Sequence, residues 1–215
     1  MKDYYKKRAS EYEKVHTETT PQRKEELAII AASMQESLKN KRVLEVACGT
    51  GYWTESLSHA AKAITATDAV EEVLEIAKAK SYSCPVSFQK DDAYNLSAKD
   101  RSFEAGLANF WLSHVPKSRV SAFLEGFHDK LEHGSTVFFA DNVYVPGLGG
   151  DLVDRVGEGD SYKNRKLENG TEHVVLKNYY SKDQLKALFA KNSIALDDKN
   201  IFHGKFYWFV SYQIA

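Results

Sequence analysis

The stretch Val43–Thr54, VLEVACGTGYWT, constrains the fold more than any other part of the chain. Val43, Leu44 and Val46 form a short apolar run suited to a strand buried on both faces. Ala47, Gly49 and Gly51 then remove side chains where the backbone must turn sharply and lie close to a ligand. A helical pattern begins at Thr54. A strand, a small-residue loop and a helix N-terminus, in that order, make the ligand crevice of an open α/β sheet.

Two kinds of ligand compete for such a crevice. A dinucleotide loop reads G-x-G-x-x-G and turns its backbone N–H groups toward a pyrophosphate. Counting from Gly49, the third glycine is missing, because Trp53 and Thr54 stand two and three places after Gly51. Glu45 adds a carboxylate at the strand end, which repels a pyrophosphate and suits a ligand carrying positive charge. S-adenosylmethionine (SAM) is such a ligand, with a sulfonium, an α-ammonium and no phosphate. The run Glu45-Val46-Ala47-Cys48-Gly49-Thr50-Gly51 resembles the first motif of the class I SAM-dependent methyltransferases, an acid followed by G/A-x-G-x-G after the first strand. The resemblance extends over about residues 40–140.

Composition is consistent with that reading. The 215 residues suffice for one α/β domain with a sizeable core. A formal net charge of −1 argues against nucleic acid as the main partner, since phosphate binding leaves a basic surplus. No apolar run approaches the ~18–20 residues of a membrane span. The first residues, Met-Lys-Asp-Tyr-Tyr-Lys-Lys-Arg, have no apolar signal-peptide core. The two cysteines, Cys48 and Cys84, make no disulfide or metal framework, and Cys48 reads as a small loop filler. A reduced, cytoplasmic protein is expected, with no membrane and no nucleic-acid partner; oligomeric state is not readable.

Along the chain, residues 1–20 carry Tyr5, Arg8 and Tyr12 at helical spacing. Pro21 opens a helix expected to reach about Leu38. Strands are expected at 42–47, 63–68, 85–90, 103–110 and 135–142, alternating with helices at 52–60, 70–79 and 116–131, the last closed by His133-Gly134. This alternation predicts a doubly wound parallel sheet. Residues 143–178 break the rhythm with scattered glycines, charges and a strand-like 173–178, and read as an insertion. A capped helix from Ser181 to Phe189 and a hairpin of 194–202 with 205–214 finish the chain. The resemblance implies a Rossmann-like, seven-stranded, mostly parallel sheet in the order 3-2-1-4-5-7-6 with strand 7 antiparallel. It also implies a single domain over 1–215, with a lid at 1–20, a cofactor core at 40–142 and a substrate cap at 143–180.

Ligands in such sheets sit beyond the carboxyl ends of the strands. Glu45 and the loop 47–51 stand at the first end and Asp68 at the second, where a carboxylate can take both ribose hydroxyls. Asp91, Asp92 and Ala93 stand at the third, and an acid followed by a small residue suits an adenine edge. The fourth end gives Asn109, Phe110, Trp111 and His114, and the fifth gives Asp141 and Asn142. Each acid alone reads equally as a turn or helix cap. The resemblance implies that Glu45, Ala47, Gly49, Thr50, Gly51, Asp68, Ala69, Asp92, Ala93, Asn109 and Phe110 hold SAM, and its product S-adenosylhomocysteine. It places Tyr5 and Tyr12 over the cofactor as a lid. It sets Trp111 and His114 toward the acceptor. His114 reads as a general base, a lining residue or plain packing, and Asp141, at the fifth strand end, is a lesser candidate base.

For the acceptor, the proline-containing Asn/Asp-Pro-Pro-Tyr/Phe motif usual in DNA and RNA amino-methyltransferases is replaced by Asn109-Phe110-Trp111-Leu112, so a small molecule is expected. Tyr144, Arg155 and Arg165 in the insertion are candidate substrate contacts, either a solvated face or a clamp on an anionic group. A metal site from His114, Asp141 and Asn142 would be thin in ligands, and none is expected. The expected function is SAM-dependent methyl transfer to a nitrogen or oxygen of a small molecule. A nucleotide-dependent oxidoreductase and a non-catalytic SAM-binding protein are the alternatives.

Overall fold

The computed structural model describes residues 19–153, 159–167 and 170–214. Seven strands form one sheet in the order β3-β2-β1-β4-β5-β10-β9. They are β1 (Arg42–Val46), β2 (Ala63–Asp68), β3 (Val86–Lys90), β4 (Phe103–Leu107), β5 (Leu131–Asn142), β9 (Ile201–His203) and β10 (Tyr207–Gln213). The first five are mutually parallel, and β10 runs antiparallel to both β5 and β9. This is the doubly wound order and the single reversal that the loop motif led one to expect. Three further strands, β6 (Leu152–Val153), β7 (Tyr162–Lys166) and β8 (Glu172–Leu176), build a small antiparallel sheet from the insertion.

The sheet is buried on both faces because β1 alternates its apolar side chains between two cores. Leu44 and Val46 point into one, with Phe123 and Phe127 of α4 (Val120–His128) and Leu185 and Phe189 of α5 (Lys182–Ala190). Val43 points into the other, with Leu27, Ile30 and Met34 of α1 (Pro21–Ser37), Trp53 and Leu57 of α2 (Tyr52–Ser58) and Leu74 of α3 (Glu71–Lys78). Burial of this apolar area from water is the main force holding helices to sheet. Ser181 caps α5 with a reciprocal capping box to Gln184.

Local spacing misplaced three boundaries. Helix α4 ends at His128, and His133 and Gly134 lie inside β5 rather than closing the helix. Leu131 stands four residues after Phe127, so helical spacing continues through it, but it pairs with Phe103 as a strand residue. Strand β4 ends at Leu107, three residues before the expected end. The first hairpin strand shrinks to Ile201–His203, because Asp197 and Asn200 cap one another in a short 3-10 turn ahead of it. Among the described residues, no helix is long and apolar enough to cross a membrane, and no cluster of acids, histidines and cysteines could hold a metal ion.

Candidate functional site

The carboxyl ends of β1, β2 and β3 and the turn after β4 open onto one cavity of about 340 Å³. Its wall includes Ala47, Gly49, Asp68, Ala69, Asp92, Ala93, Phe110, Trp111 and His114. The structure therefore brings nine of the sequence-predicted site residues together. Glu45, Thr50, Gly51 and Asn109 are buried and are not part of that wall, and neither are Tyr144 and Arg165 of the insertion. Tyr5, Tyr12 and Arg155 fall outside the described residues.

The loop owes its shape to left-handed backbone at three points, Ala47 (φ 56°), Gly49 (φ 57°) and Gly51 (φ 79°). At Gly51 a Cβ would also come within 2.6 Å of the Tyr82 hydroxyl and 3.1 Å of the Ala77 Cβ, so the glycine is needed for packing against α3 as well as for φ. Asp68 fixes the loop from the next strand. One of its oxygens accepts the Gly49 N–H at 3.0 Å and the other the Val70 N–H at 2.9 Å. Each carboxylate oxygen has two lone-pair sites, so these two bonds occupy one site on each oxygen of a residue of the cavity wall.

Glu45 is 2% exposed beneath the loop, and its Oε2 accepts the Thr54 hydroxyl at 2.7 Å. Burial pushes its carboxyl up to about 7; the Thr54 bond opposes this and the Asp68 charge adds to it. Asp91 proves to be a turn cap, with its oxygens taken by the N–H groups of Asp92 and Ser97 and by the Ser97 hydroxyl. The Asp92 carboxylate accepts the Tyr94 N–H through Oδ1 and lies on the wall.

On the far side of the cavity, Phe110 adopts φ 56° and stacks on Trp53 at 5.6 Å between ring centroids. His114 Nδ1 lies 2.8 Å from the Leu176 carbonyl, which can only accept, so Nδ1 carries the proton and Nε2 the lone pair. Burial, then the nearby Lys177 charge, pushes His114 down to about 3. Asp141 does not offer itself as a base. It is fully buried and ion-paired with Lys177 at 3.0 Å, and Lys177 also donates to the Ser113 hydroxyl at 2.7 Å. Burial works against ionisation of Asp141, yet the Lys177 ammonium and the Ser113 and Asn142 N–H groups keep its carboxyl below the usual range.

Sequence spacing missed Lys177, Tyr94 and Arg119. The Arg119 guanidinium lies 3.5 Å from the Tyr94 ring centre, and both line the cavity. Lys177 and the neighbouring Asn178, which bonds the Ser113 and Val115 carbonyls, tie the cap strand β8 to the turn carrying His114. Nothing in the local sequence around Lys177 announces a partner 36 residues away.

Fold and cavity together define a nucleoside-binding α/β protein whose loop is built around acids rather than cations. Comparison with known proteins agrees. A methyltransferase-domain family model matches residues 43–134. The chain is 27% identical over 165 residues to the ubiquinone biosynthesis O-methyltransferase of Xanthomonas campestris pv. campestris, covering 75% of this chain and 66% of that protein. It is 36% identical over 103 residues to the demethylmenaquinone methyltransferase of Staphylococcus epidermidis, covering 46% of this chain and 42% of that one. The chain thus spans less than two thirds of the length of these curated relatives. Among solved structures, the DhpI-SAM-HEP complex superposes with a TM-score of 0.77 at 25% identity, over 97% of this chain and 94% of that one. The DhpI-SAH complex gives 0.73 at 27% identity, over 98% and 93%. The chain is thus similar to SAM-dependent methyltransferases, in sequence over residues 43–134 and in fold over nearly its whole length.

Proposed function

We propose that the protein transfers a methyl group from SAM to a small-molecule acceptor. The observation that carries this is one cavity in which Gly49, Asp68 and Asp92, from three successive strand ends, face the same space as Trp111 and His114. The donor set fits SAM. Asp68 and Asp92 offer carboxylate oxygens for ribose hydroxyls and the adenine amine, while Ala69, Ala93, Val70, Val73 and Phe110 supply apolar walls for the base. Glu45 lies beneath the loop, where an α-ammonium would favour its charged form. Bound SAM supplies a methyl group on a positively charged sulfur.

The chain's own residues contribute alignment and exclusion of water. Asp68 holds Gly49 and Val70 in place, so the loop is preorganised. Phe110 and Trp111 add aromatic surface to the cavity wall. His114 keeps its proton on Nδ1 and stays neutral at physiological pH, which makes it a poor general base. Its role is to line the acceptor side and to accept a hydrogen bond at Nε2. The names of the quinone-pathway relatives support an acceptor of small-molecule size.

Calorimetry with S-adenosylhomocysteine tests this. Wild type should bind it and should not bind NAD, and Asp68→Ala should weaken binding by about 1–3 kcal/mol through lost hydroxyl and loop bonds. Unchanged affinity would remove the assignment. Labelled-methyl transfer from SAM into a metabolite pool then identifies the acceptor.

A further inference from the structure

The cap holds a group of cations that the transfer of methyl from SAM does not use. Lys163 and Arg165 lie two apart on β7, so their side chains leave the same face of the small sheet. Lys163 is 1% exposed, yet forms no ion pair with any described residue. Its ammonium donates to the Leu148 carbonyl at 2.8 Å and the Gly150 carbonyl at 2.7 Å, between the rings of Tyr144 (5.3 Å) and Tyr179 (5.6 Å). Asp151 is the acid whose charge acts on Lys163, from beyond ion-pair distance. Arg165 likewise forms no ion pair with a described residue. A buried cation satisfied only by carbonyls is costly unless a negative charge joins it.

The loop before β6 is shaped around this pair. At Gly149 (φ +73°) a Cβ would lie on the Arg165 guanidinium, and at Gly150 (φ +90°) it would meet the Asn164 carbonyl. Two adjacent glycines thus let the backbone close over Arg165 while Lys163 grips the same turn by its carbonyls. Of the other charges here, Lys177 is already matched by Asp141. Among the described residues, the charges acting on Lys163 are those of Arg165 and Lys177 and, with opposite sign, the more distant Asp151.

The pair stands on the strand beside the turn that carries His114: Lys163 pairs with Val175, next to Leu176, whose carbonyl accepts the His114 Nδ1 proton. The charge of Arg165 reaches both His114 and Tyr179, and His114 is part of the cofactor cavity wall. Arg165, Tyr144 and Tyr179 keep part of their surface open, whereas Lys163 sits behind them. Tyr179 is pushed up to about 12 by burial, so its hydroxyl remains a donor at neutral pH.

We infer that the methyl acceptor is a small molecule carrying an oxyanion, a carboxylate or a phosphoryl group, seated on the Arg165 guanidinium with Lys163 as the buried second charge and Tyr144 and Tyr179 as flanking rings. This rests on the methyltransferase reading, because it assigns the acceptor end of the same site. Arg165 meets a planar or tetrahedral oxyanion with two parallel N–H donors. Fixing one end of the acceptor there turns its remaining length toward His114 and the cavity. Arg165 and Lys163 are specificity-determining residues on this account.

The test uses the full chain saturated with S-adenosylhomocysteine, titrated separately with acetate, inorganic phosphate and neutral acetamide, with binding followed by NMR shifts of the cap. Acetate or phosphate should bind in the millimolar range and acetamide should not, and the stronger of the two anions distinguishes a carboxylate from a phosphoryl acceptor. Arg165→Met should weaken anion binding by about tenfold or more, with Arg165→Lys intermediate and S-adenosylhomocysteine affinity retained in both. Equal binding of acetamide, no anion binding by wild type, or unchanged anion binding in Arg165→Met overturns the inference. If S-adenosylhomocysteine itself fails to bind, it is the methyltransferase reading that falls.

Discussion

Glu45 should make the apoprotein less stable as pH rises toward neutrality. Its carboxyl is held at about 7 rather than an ordinary 4.5, chiefly by burial. The unfolded chain then releases this proton near 4.5 while the native state keeps it to about 7. Between those values the native state binds more protons, so unfolding free energy falls with pH. The contribution is full below 4.5 and lost as pH passes through about 7. At about 1.36 kcal/mol per pH unit, the loss is about 3 kcal/mol. Glu45→Gln removes the titration, and Gln can still accept the Thr54 hydroxyl. Urea unfolding at several pH values should give a wild-type curve that drops relative to the variant by about 3 kcal/mol between the two ends. Saturation with S-adenosylhomocysteine should shrink the difference, because a nearby ammonium favours the carboxylate. A wild-type minus variant difference that is flat with pH, or that rises, would refute the reasoning.

Two other perturbations follow from the same structure. Gly51→Ala places a methyl group 2.6 Å from the Tyr82 hydroxyl at φ 79°, and should cost about 1–3 kcal/mol in thermal or urea unfolding while weakening S-adenosylhomocysteine binding. Lys177→Met leaves the fully buried Asp141 carboxylate with only N–H donors and should destabilise by about 3–5 kcal/mol. Adding Asp141→Asn to Lys177→Met should recover part of that loss, and a double-mutant cycle showing no coupling would contradict the pairing.

Much of this protein is readable locally. Val43 to Gly51 announces strand, loop and helix because sharp backbone turns admit few residue types. Asp68 and Asp92 are legible because a doubly wound sheet sends every strand end to the same crevice. The order of the seven strands followed from the motif's family. Other features could not be read in this way. Leu131 fits a helix and a strand equally well by spacing, and only its pairing with Phe103 decides. Asp141 at a strand end looks like a candidate base until Lys177, from the cap, neutralises it.

What the sequence alone determines is the crevice at the strand ends, built of glycines and acids whose chemistry depends on residues close in the chain. What the tertiary structure decides is the charge and protonation of the residues where the insertion meets the sheet. His114 takes its tautomer from the Leu176 carbonyl and its low basicity from burial and Lys177. Lys163 becomes a buried cation because the 148–150 turn folds over it. These are properties of charge and burial among residues far apart in the chain, and such distances are fixed only when the cap meets the sheet.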